Sequence, residues 1–280
     1  MKQIAIVGAG TMGSGIAQVF ASAGYSVILN DLKMDFLDNA FLKIEKNLDY
    51  LIRKEKITVE EKEEILGRLE KTTDLSSISE ADLVIEAVTE KMDIKKEIFQ
   101  KLDDICKQNT ILASNTSALS VSEIALSVER TDKVMGIHFF NPVPVMRLVE
   151  LIKAANTSEQ TFQSVKKLVK STGKVIVEVE ESPGFIVNRL LIPLINEAIF
   201  LLYEGVASKE DIDNAIKYGA NHPMGPLALA DLIGLDVCLS IMETLYKDFS
   251  DPKYRTCPLL LKKVRAGELG KKTGKGFYSY

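Results

Sequence analysis

Short apolar runs alternate with helical patterns over the first 180 or so residues of the chain. Each run has the length and residue types of a buried strand, and amphipathic segments separate most of them. The predicted strands are residues 4–7, 27–29, 82–88, 110–114, 133–137, 147–152 and 175–179. This alternation predicts an α/β fold, a Rossmann-type doubly wound sheet with helices on its faces.

A long charged segment with one apolar stripe separates the second and third predicted strands. The stripe recurs every three or four residues, at Leu37, Phe41, Ile44, Leu48 and Leu51. That spacing is typical of an amphipathic helix, and residues 60–66 predict a second one. Two helices are more than a plain crossover needs, so we expect a helical pair that projects from the sheet.

The pattern changes after Glu181, beyond which no further strand is predicted. Ser182 as an N-cap and Pro183 at the first helical position predict the start of a helix. The following residues are apolar on nearly every face, which predicts burial. We therefore expect two domains: an α/β domain over residues 1–183 and an all-α C-terminal domain over residues 184–280.

Composition narrows the function classes. A net charge of -4 gives no electrostatic support for nucleic-acid binding. Three cysteines without a CxxC motif disfavour a disulfide framework or a metal cluster, and they favour the reducing cytoplasm. The N-terminus does not have the pattern of a signal peptide, and no apolar run is long enough to predict a membrane span.

A glycine-rich turn follows the first predicted strand and opens a helix. Its residues are Gly8, Ala9, Gly10, Thr11, Met12 and Gly13, which match the GxGxxG pattern. Gly8 permits a tight turn, Gly10 lets the backbone approach a pyrophosphate, and Gly13 allows close packing of helix on strand. The helix N-terminus attracts phosphates. The alternative is a turn that only joins a strand to a helix.

An acidic residue at the end of the second strand favours the binding interpretation. Asp31 is placed to accept hydrogen bonds from the adenosine ribose hydroxyls. Its charge would repel a 2′-phosphate, so NAD is favoured over NADP, although Lys33 weakens that preference. Strand, turn, helix and acid together predict a dinucleotide-binding domain.

One of only two histidines follows the strand at residues 133–137. Polar residues at the carboxyl ends of strands line the site in open α/β sheets, and His138 is suited to exchange a proton near neutral pH. Glu150 lies on a predicted apolar strand and needs a partner. We expect the turn at Pro142 and Pro144 to fold it back beside His138, although a lone histidine at a strand end is often structural.

Asn188 is a polar residue in an otherwise apolar helix. It is either a buried amide that caps a neighbouring backbone group or a hydrogen-bond donor to a substrate carbonyl where the two domains meet. Both interpretations remain open from the sequence.

Six motifs along nearly the whole chain resemble the L-3-hydroxyacyl-CoA dehydrogenase family, in particular its short bacterial members that act on short-chain substrates. They are GAGTMGSGIA (8–17), SNTSAL (114–119), HFFNPVPVMRLVE (138–150), ESPGFIVNRLL (181–191), NHPMGPLALADLIGLD (221–236) and GKKTGKGFY (270–278). Ala118 departs from the serine of many family members, which puts only local hydrogen bonding beside Ser117 in doubt.

The resemblance implies roles for individual residues. His138 matches the acid/base and Glu150 its orienting carboxylate, and Ser117 and Asn188 match residues that bind the substrate around the reacting carbon. The implied cofactor contacts beyond the glycine turn are Asp31, Glu90, Lys95, Ser117, Asn141 and Lys272. Lys54, on the helical pair, resembles a contact to coenzyme A, with a solvated surface charge as the alternative.

The resemblance also implies an activity and an assembly. We expect reversible hydride transfer between NAD(H) and a short-chain 3-hydroxyacyl-CoA, with an acyl-CoA as the substrate partner, and a homodimer through the C-terminal domain. Two other functions remain: a dehydrogenase of a free hydroxy acid or sugar acid such as gulonate, and a structural protein that retains NAD binding without catalysis.

Overall fold

An eight-stranded sheet organises the first of two units, Met1–Ser182, and helices alone form the second, Pro183–Tyr280. The computed structural model describes residues 1–280. The strands are β1 Gln3–Val7, β2 Ser26–Asn30, β3 Leu69–Thr72, β4 Leu83–Glu86, β5 Ile111–Ser114, β6 Val134–Phe139, β7 Leu148–Lys153 and β8 Val175–Glu180. The helices of this unit are α1 Thr11–Ser22, α2 Met34–Arg53, α3 Val59–Gly67, α4 Met92–Ile105, α5 Val121–Ala125 and α6 Glu159–Ser171.

The strand order in the sheet is β3-β2-β1-β4-β5-β6-β7-β8. Strands β1 to β6 pair in parallel, whereas β7 pairs antiparallel with β6 and parallel with β8. The strand order reverses between β1 and β4, which is where ligands bind in sheets of this kind. The predicted α/β class, a doubly wound and mostly parallel sheet, is confirmed.

The helical pair predicted between β2 and β3 is α2 and α3. In the predicted apolar stripe of α2, Leu37, Ile44 and Leu48 are buried in the main core, whereas Phe41 and Leu51 are only partly buried against it. The opposite face of α2 is exposed. Helix α3 begins at a capping box, in which the Thr58 hydroxyl accepts from the Glu61 amide and the Glu61 carboxylate accepts from the Thr58 amide.

Strand β3 was not predicted from the sequence. Its sequence, LEKT, has two charged residues, and it lies at the edge of the sheet beside β2. An edge strand buries little of its surface, so its side chains do not show the apolar run that identifies β4 or β5.

The first helix of the second unit begins later than predicted. Helix α7 spans Val187–Tyr203 with Ile186 at its N-cap, so the predicted N-cap at Ser182 is wrong. Gly184 and Phe185 have φ values of 70° and 51°, which a right-handed helix cannot include. The predicted burial of every face is also wrong, because Leu190 is 70% exposed and Leu194 is 36% exposed.

Helices α7, α8 Lys209–Asn214, α9 Pro226–Ile233, α10 Leu235–Phe249 and α11 Pro258–Arg265 build the second unit. Its C-terminal segment is held by the buried Asp231 carboxylate, which accepts from the Phe277 amide at 2.9 Å and the Tyr278 amide at 2.8 Å. The terminal GKGFY motif is therefore tied to α9. None of the helices in the chain combines the length and hydropathy of a membrane span.

Candidate active site

The glycine turn between β1 and α1 has a separate steric reason for each glycine. A Cβ atom on Gly8 would lie 2.7 Å from the Ala87 carbonyl oxygen, and Gly8 also has a φ of 106°. A Cβ atom on Gly13 would lie 1.7 Å from the Gly8 carbonyl oxygen. A Cβ atom on Gly10, however, would have no neighbour within 4 Å. Gly8 and Gly13 are thus required by the fold, whereas Gly10 borders open space.

The N-terminus of α1 suits an anion. Its N-cap, Gly10, provides no side-chain hydrogen bond, and no acidic residue lies in the first helical turn. The amides there are therefore the partial positive charge that a pyrophosphate prefers. Because the space beside Gly10 is what a pyrophosphate needs for close approach, the turn fits a dinucleotide.

Asp31 links the end of β2 to this turn. One carboxylate oxygen accepts from the Ala9 amide at 2.6 Å, and the other accepts from the Leu32 amide at 2.7 Å. These bonds fix the carboxylate beside the turn, on the β2 side, where an adenosine ribose would lie.

His138 and Glu150 face each other across the antiparallel strands β6 and β7. They are direct partners in the register, and His138 Nδ1 lies 2.8 Å from Glu150 Oε2. Both are buried, at 5% and 0% exposure. An ionised carboxylate can only accept, so it pairs with the form of His138 that carries a proton on Nδ1, and the contact holds the ring orientation. The structure thus forms the pair that the sequence predicted.

Ser117 lies in the loop that follows β5, and Glu90 holds this loop. One Glu90 oxygen, Oε1, accepts from the Ser117 amide at 2.8 Å, the Ser117 hydroxyl at 3.1 Å and the Thr116 hydroxyl at 2.5 Å. Burial opposes ionisation of Glu90, but the Lys95 charge and these hydrogen bonds outweigh it and lower the pKa of Glu90. The carboxylate is therefore ionised at neutral pH.

Lys95 lies behind Glu90 and is almost fully buried, at 1% exposure. Its ammonium group is 3.2 Å from Glu90 Oε2 and donates to both oxygens of Glu86, at 2.8 and 3.0 Å. Glu86 is the last residue of β4 and has no exposed surface. The sequence analysis assigned Glu86 no role, because its contact to Lys95 crosses a loop that the sequence pattern does not resolve.

A second contact joins the loop after β5 to β6 beside the histidine. The Asn115 side-chain oxygen accepts from the Phe139 amide at 2.9 Å, immediately after His138. The Phe140 ring lies 4.4 Å from the His138 ring, centroid to centroid. Asn141, a predicted cofactor contact, is exposed and follows at the start of the turn to β7.

That turn also contacts helix α1. A Cβ atom on Gly15 of α1 would lie 2.8 Å from the Val143 Cβ atom. From the other side, the Lys174 ammonium group donates to the carbonyl oxygens of Val143 and Met146, both at 2.6 Å. The segment between His138 and Glu150 is thus held between α1 and the start of β8.

The remaining predicted residues are Lys54, Lys272 and Asn188. Lys54 is at the exposed C-terminal end of α2, with its ammonium group 5.8 Å from the centre of the Tyr50 ring. Lys272 forms an ion pair with Asp236 at 2.5 Å within the helical unit. Asn188 is the second residue of α7. The roles of all three stay predictions.

A glycine turn at the β1/β4 switch point, with a buried His–Glu pair at the end of a nearby strand, defines an NAD-dependent oxidoreductase that acts on CH–OH groups. The model of the 3-hydroxyacyl-CoA dehydrogenase NAD binding domain matches residues 3–182, and that of the C-terminal domain matches residues 184–280. The chain belongs to the 3-hydroxyacyl-CoA dehydrogenase family.

Individual relatives span the whole chain. A 3-hydroxybutyryl-CoA dehydrogenase of Clostridioides difficile is 55% identical over 278 residues, which is 99% of each chain. The crystal structure of the (S)-3-hydroxybutyryl-CoA dehydrogenase PaaH1 from Ralstonia eutropha is 48% identical, with a TM-score of 0.97 and coverage of 100% of this chain and 99% of that one. A diketoreductase that acts on dicarbonyl compounds is 34% identical, with a TM-score of 0.86 and coverage of 100% and 99%.

The three steric environments in the glycine turn give a direct test of cofactor binding. In Gly10→Ala the methyl group enters open space, so we expect unchanged thermal stability but NADH affinity lowered by roughly tenfold or more, since the backbone no longer approaches the pyrophosphate. NADH fluorescence titration and thermal melting measure the two effects. Gly67→Ala, also in open space but at the end of α3, is the control and should bind NADH normally. Unchanged NADH affinity in Gly10→Ala contradicts the placement of the pyrophosphate.

Proposed function

We propose that the chain interconverts (S)-3-hydroxybutyryl-CoA and acetoacetyl-CoA, with NAD(H) as the hydride acceptor or donor. The observation that carries this proposal is the buried His138–Glu150 contact at 2.8 Å, at the same sheet edge as the glycine turn. The full-length similarity to proteins named 3-hydroxybutyryl-CoA dehydrogenase supports the choice of substrate.

Oxidation of a secondary alcohol removes a hydride from carbon and a proton from oxygen. Bound NAD supplies the hydride acceptor. With Nδ1 directed at Glu150, proton exchange with the substrate oxygen falls to Nε2 of His138. Nε2 takes the hydroxyl proton in the direction of oxidation and returns it to the ketone oxygen in the direction of reduction.

Glu150 acts on His138 through its charge and through the orientation of the ring. When the imidazole takes up the proton, the neighbouring carboxylate stabilises the new positive charge inside a buried environment, where Coulomb attraction is strong. The same contact holds the ring so that Nε2 keeps one direction.

The hydrogen bond to Glu90 sets the donor and acceptor roles of the Ser117 hydroxyl group. Because Glu90 is an acceptor only, the single hydroxyl proton of Ser117 is committed to Glu90 Oε1. Any further contact of that oxygen is therefore one in which it accepts, so we propose that it binds an O–H or N–H group of the substrate or the cofactor. Asn188, in this proposal, provides the complementary donor to a carbonyl oxygen.

A second candidate substrate is a free hydroxy acid or a related dicarbonyl compound. The 34% identity to a diketoreductase favours keeping it, since that relative acts on dicarbonyl compounds. A structural role without catalysis is disfavoured by the intact His138–Glu150 pair. We further propose that the protein acts in the cytoplasm, since its three cysteines are all free and buried.

Replacement of the histidine tests the proposed acid/base. In His138→Gln we expect kcat for acetoacetyl-CoA reduction to fall by roughly 10²- to 10⁴-fold, the usual contribution of a general acid, while NADH affinity stays within about twofold. The loss of NADH absorbance measures turnover. His222→Gln, the same change at the only other histidine, is the control. Turnover near that of the unmodified enzyme in His138→Gln sinks the assignment.

A charge reversal on α2 tests the thioester substrate. If Lys54 contacts the phosphates of coenzyme A, Lys54→Glu raises the KM for acetoacetyl-CoA roughly three- to tenfold and leaves the KM for NADH unchanged. Lys43→Glu, an equal charge change on the exposed face of the same helix, is the matched control. Free acetoacetate, tested beside the thioester, separates the two candidate substrates. If both variants change the KM for acetoacetyl-CoA equally, Lys54 is a surface charge and does not contact coenzyme A.

We propose a homodimer through the helical unit. Leu190 and Leu194 lie one turn apart on α7 and are exposed, although Leu is typical of a protein interior. A second copy of this chain, with the same apolar stripe, would cover them.

Leu190→Glu is then expected to shift the sedimenting species from twice the 31.0 kDa chain mass to the chain mass. Leu42→Glu, at an exposed leucine of α2, is the control; a dimer that persists in Leu190→Glu rejects this interface.

A further inference from the structure

Three ionisable side chains form a connected cluster at the carboxyl end of β4. Glu86 ends the strand, Lys95 comes from the first turns of α4, and Glu90 lies in the loop between them. Glu86 and Lys95 are buried, at 0% and 1% exposure, whereas the Glu90 side chain is 34% exposed. The cluster therefore runs from the protein interior to the surface of the cofactor-binding edge.

Hydrogen bonding defines the charge of each member. The Lys95 ammonium group donates to both oxygens of Glu86 and forms an ion pair with one oxygen of Glu90. The two oxygens of Glu86 also accept from the Val88 amide at 2.7 Å and the Ser114 hydroxyl at 2.6 Å. A carboxyl group that only accepts is a carboxylate, and Glu90 accepts in the same way. Two carboxylates and one ammonium group leave one net negative charge.

Two positive groups beside the cluster offset this charge only in part. The N-terminus of α4 begins two residues after Glu90 and contributes roughly half a positive charge, which offsets only part of it. Lys96, the next residue on the helix, is already paired with Glu123 at 2.7 Å.

The sheet order places this charge at one end of the dinucleotide. Asp31 follows β2 and fixes the adenosine side, and the glycine turn follows β1. Strand β4 lies on the other side of β1, and the Ala87 carbonyl oxygen at its end borders Gly8. A dinucleotide that crosses the turn from β2 therefore brings its nicotinamide to β4 and β5.

We propose that Glu86 is a positioning residue that maintains a net negative charge at the nicotinamide and so favours the cationic ring of NAD⁺ over the neutral ring of NADH. Glu86 acts through Lys95, which it neutralises, so that Glu90 keeps an unbalanced charge at the surface of the site. The inference rests on the proposed function in one respect: NAD(H) binds with its nicotinamide half, rather than its adenosine half, beside Ser117.

A purely structural role makes a different prediction. A buried Glu86–Lys95 pair that only joined β4 to α4 would, when broken, weaken the site as a whole and lower the affinity for both cofactor forms by a similar factor. An electrostatic role changes the ratio of the two affinities. The ratio is therefore the measurement that separates the two explanations.

The test titrates NAD⁺ and NADH separately into full-length protein, by calorimetry or by competition with NADH fluorescence. In Glu86→Gln, which keeps the shape and removes one charge, we expect the ratio of the NAD⁺ to the NADH dissociation constant to rise roughly three- to tenfold, as for loss of one unit charge at a partly solvated site. A ratio that stays within twofold of the unmodified value, or that falls, overturns the proposal.

Further variants keep the test decisive. Glu90→Gln removes the same charge at a partly exposed position and is expected to raise the ratio too; it decides the matter if Glu86→Gln does not fold. Glu86→Asp keeps the charge and should keep the ratio, even where both affinities fall. Glu63→Gln, on the exposed surface of α3, is the surface control and should leave the ratio unchanged. If instead the unmodified protein binds both forms but does not reduce acetoacetyl-CoA, the proposed function fails while this inference stands.

Discussion

The antiparallel pairing of β6 with β7 is the constraint on which the site depends. Every other neighbouring pair in the sheet is parallel, and a parallel partner arrives only after a long crossover. The connection from β6 to β7, residues 140–147, instead returns the chain directly to the neighbouring strand and sets His138 opposite Glu150. A shift of one residue would turn the glutamate to the other face of the sheet and leave a buried carboxylate without its partner. The contact between His138 and Glu150 thus depends on the register of β6 and β7.

The Glu86–Lys95 contact is better explained by function than by stability. Removal of two ions from water costs about as much as their attraction returns, and a well-packed apolar pair at such a position is often equally stable. The cluster nevertheless buries a lysine almost completely and joins it to two carboxylates rather than one. It also holds the loop that carries Ser117, so electrostatics and loop geometry share one set of contacts.

Local patterns predicted those parts of the fold and site that local physics determines. The glycine turn, the central strands and the His138–Glu150 pair follow from apolar runs, from turn residues and from the need of a buried carboxylate for a partner. Strand β3 escaped prediction because its pairing with β2, rather than its own side chains, makes it a strand. The late start of α7 depends on the left-handed backbone conformation of Phe185, which the conformational preferences of phenylalanine do not predict. Prediction of the Glu86–Lys95 contact would have required knowledge of how α4 packs against the sheet.

The close approach of Gly15 to Val143 has a consequence for how the family can vary. Helix α1 and the turn between His138 and Glu150 meet at Gly15 and Val143, which are 128 positions apart in the chain, so the two segments share one steric boundary. A chimera that took its first strand and helix from one dehydrogenase and the rest from another would have to match at this boundary. The two segments are therefore expected to be inherited together, as one unit of recombination divided across the sequence.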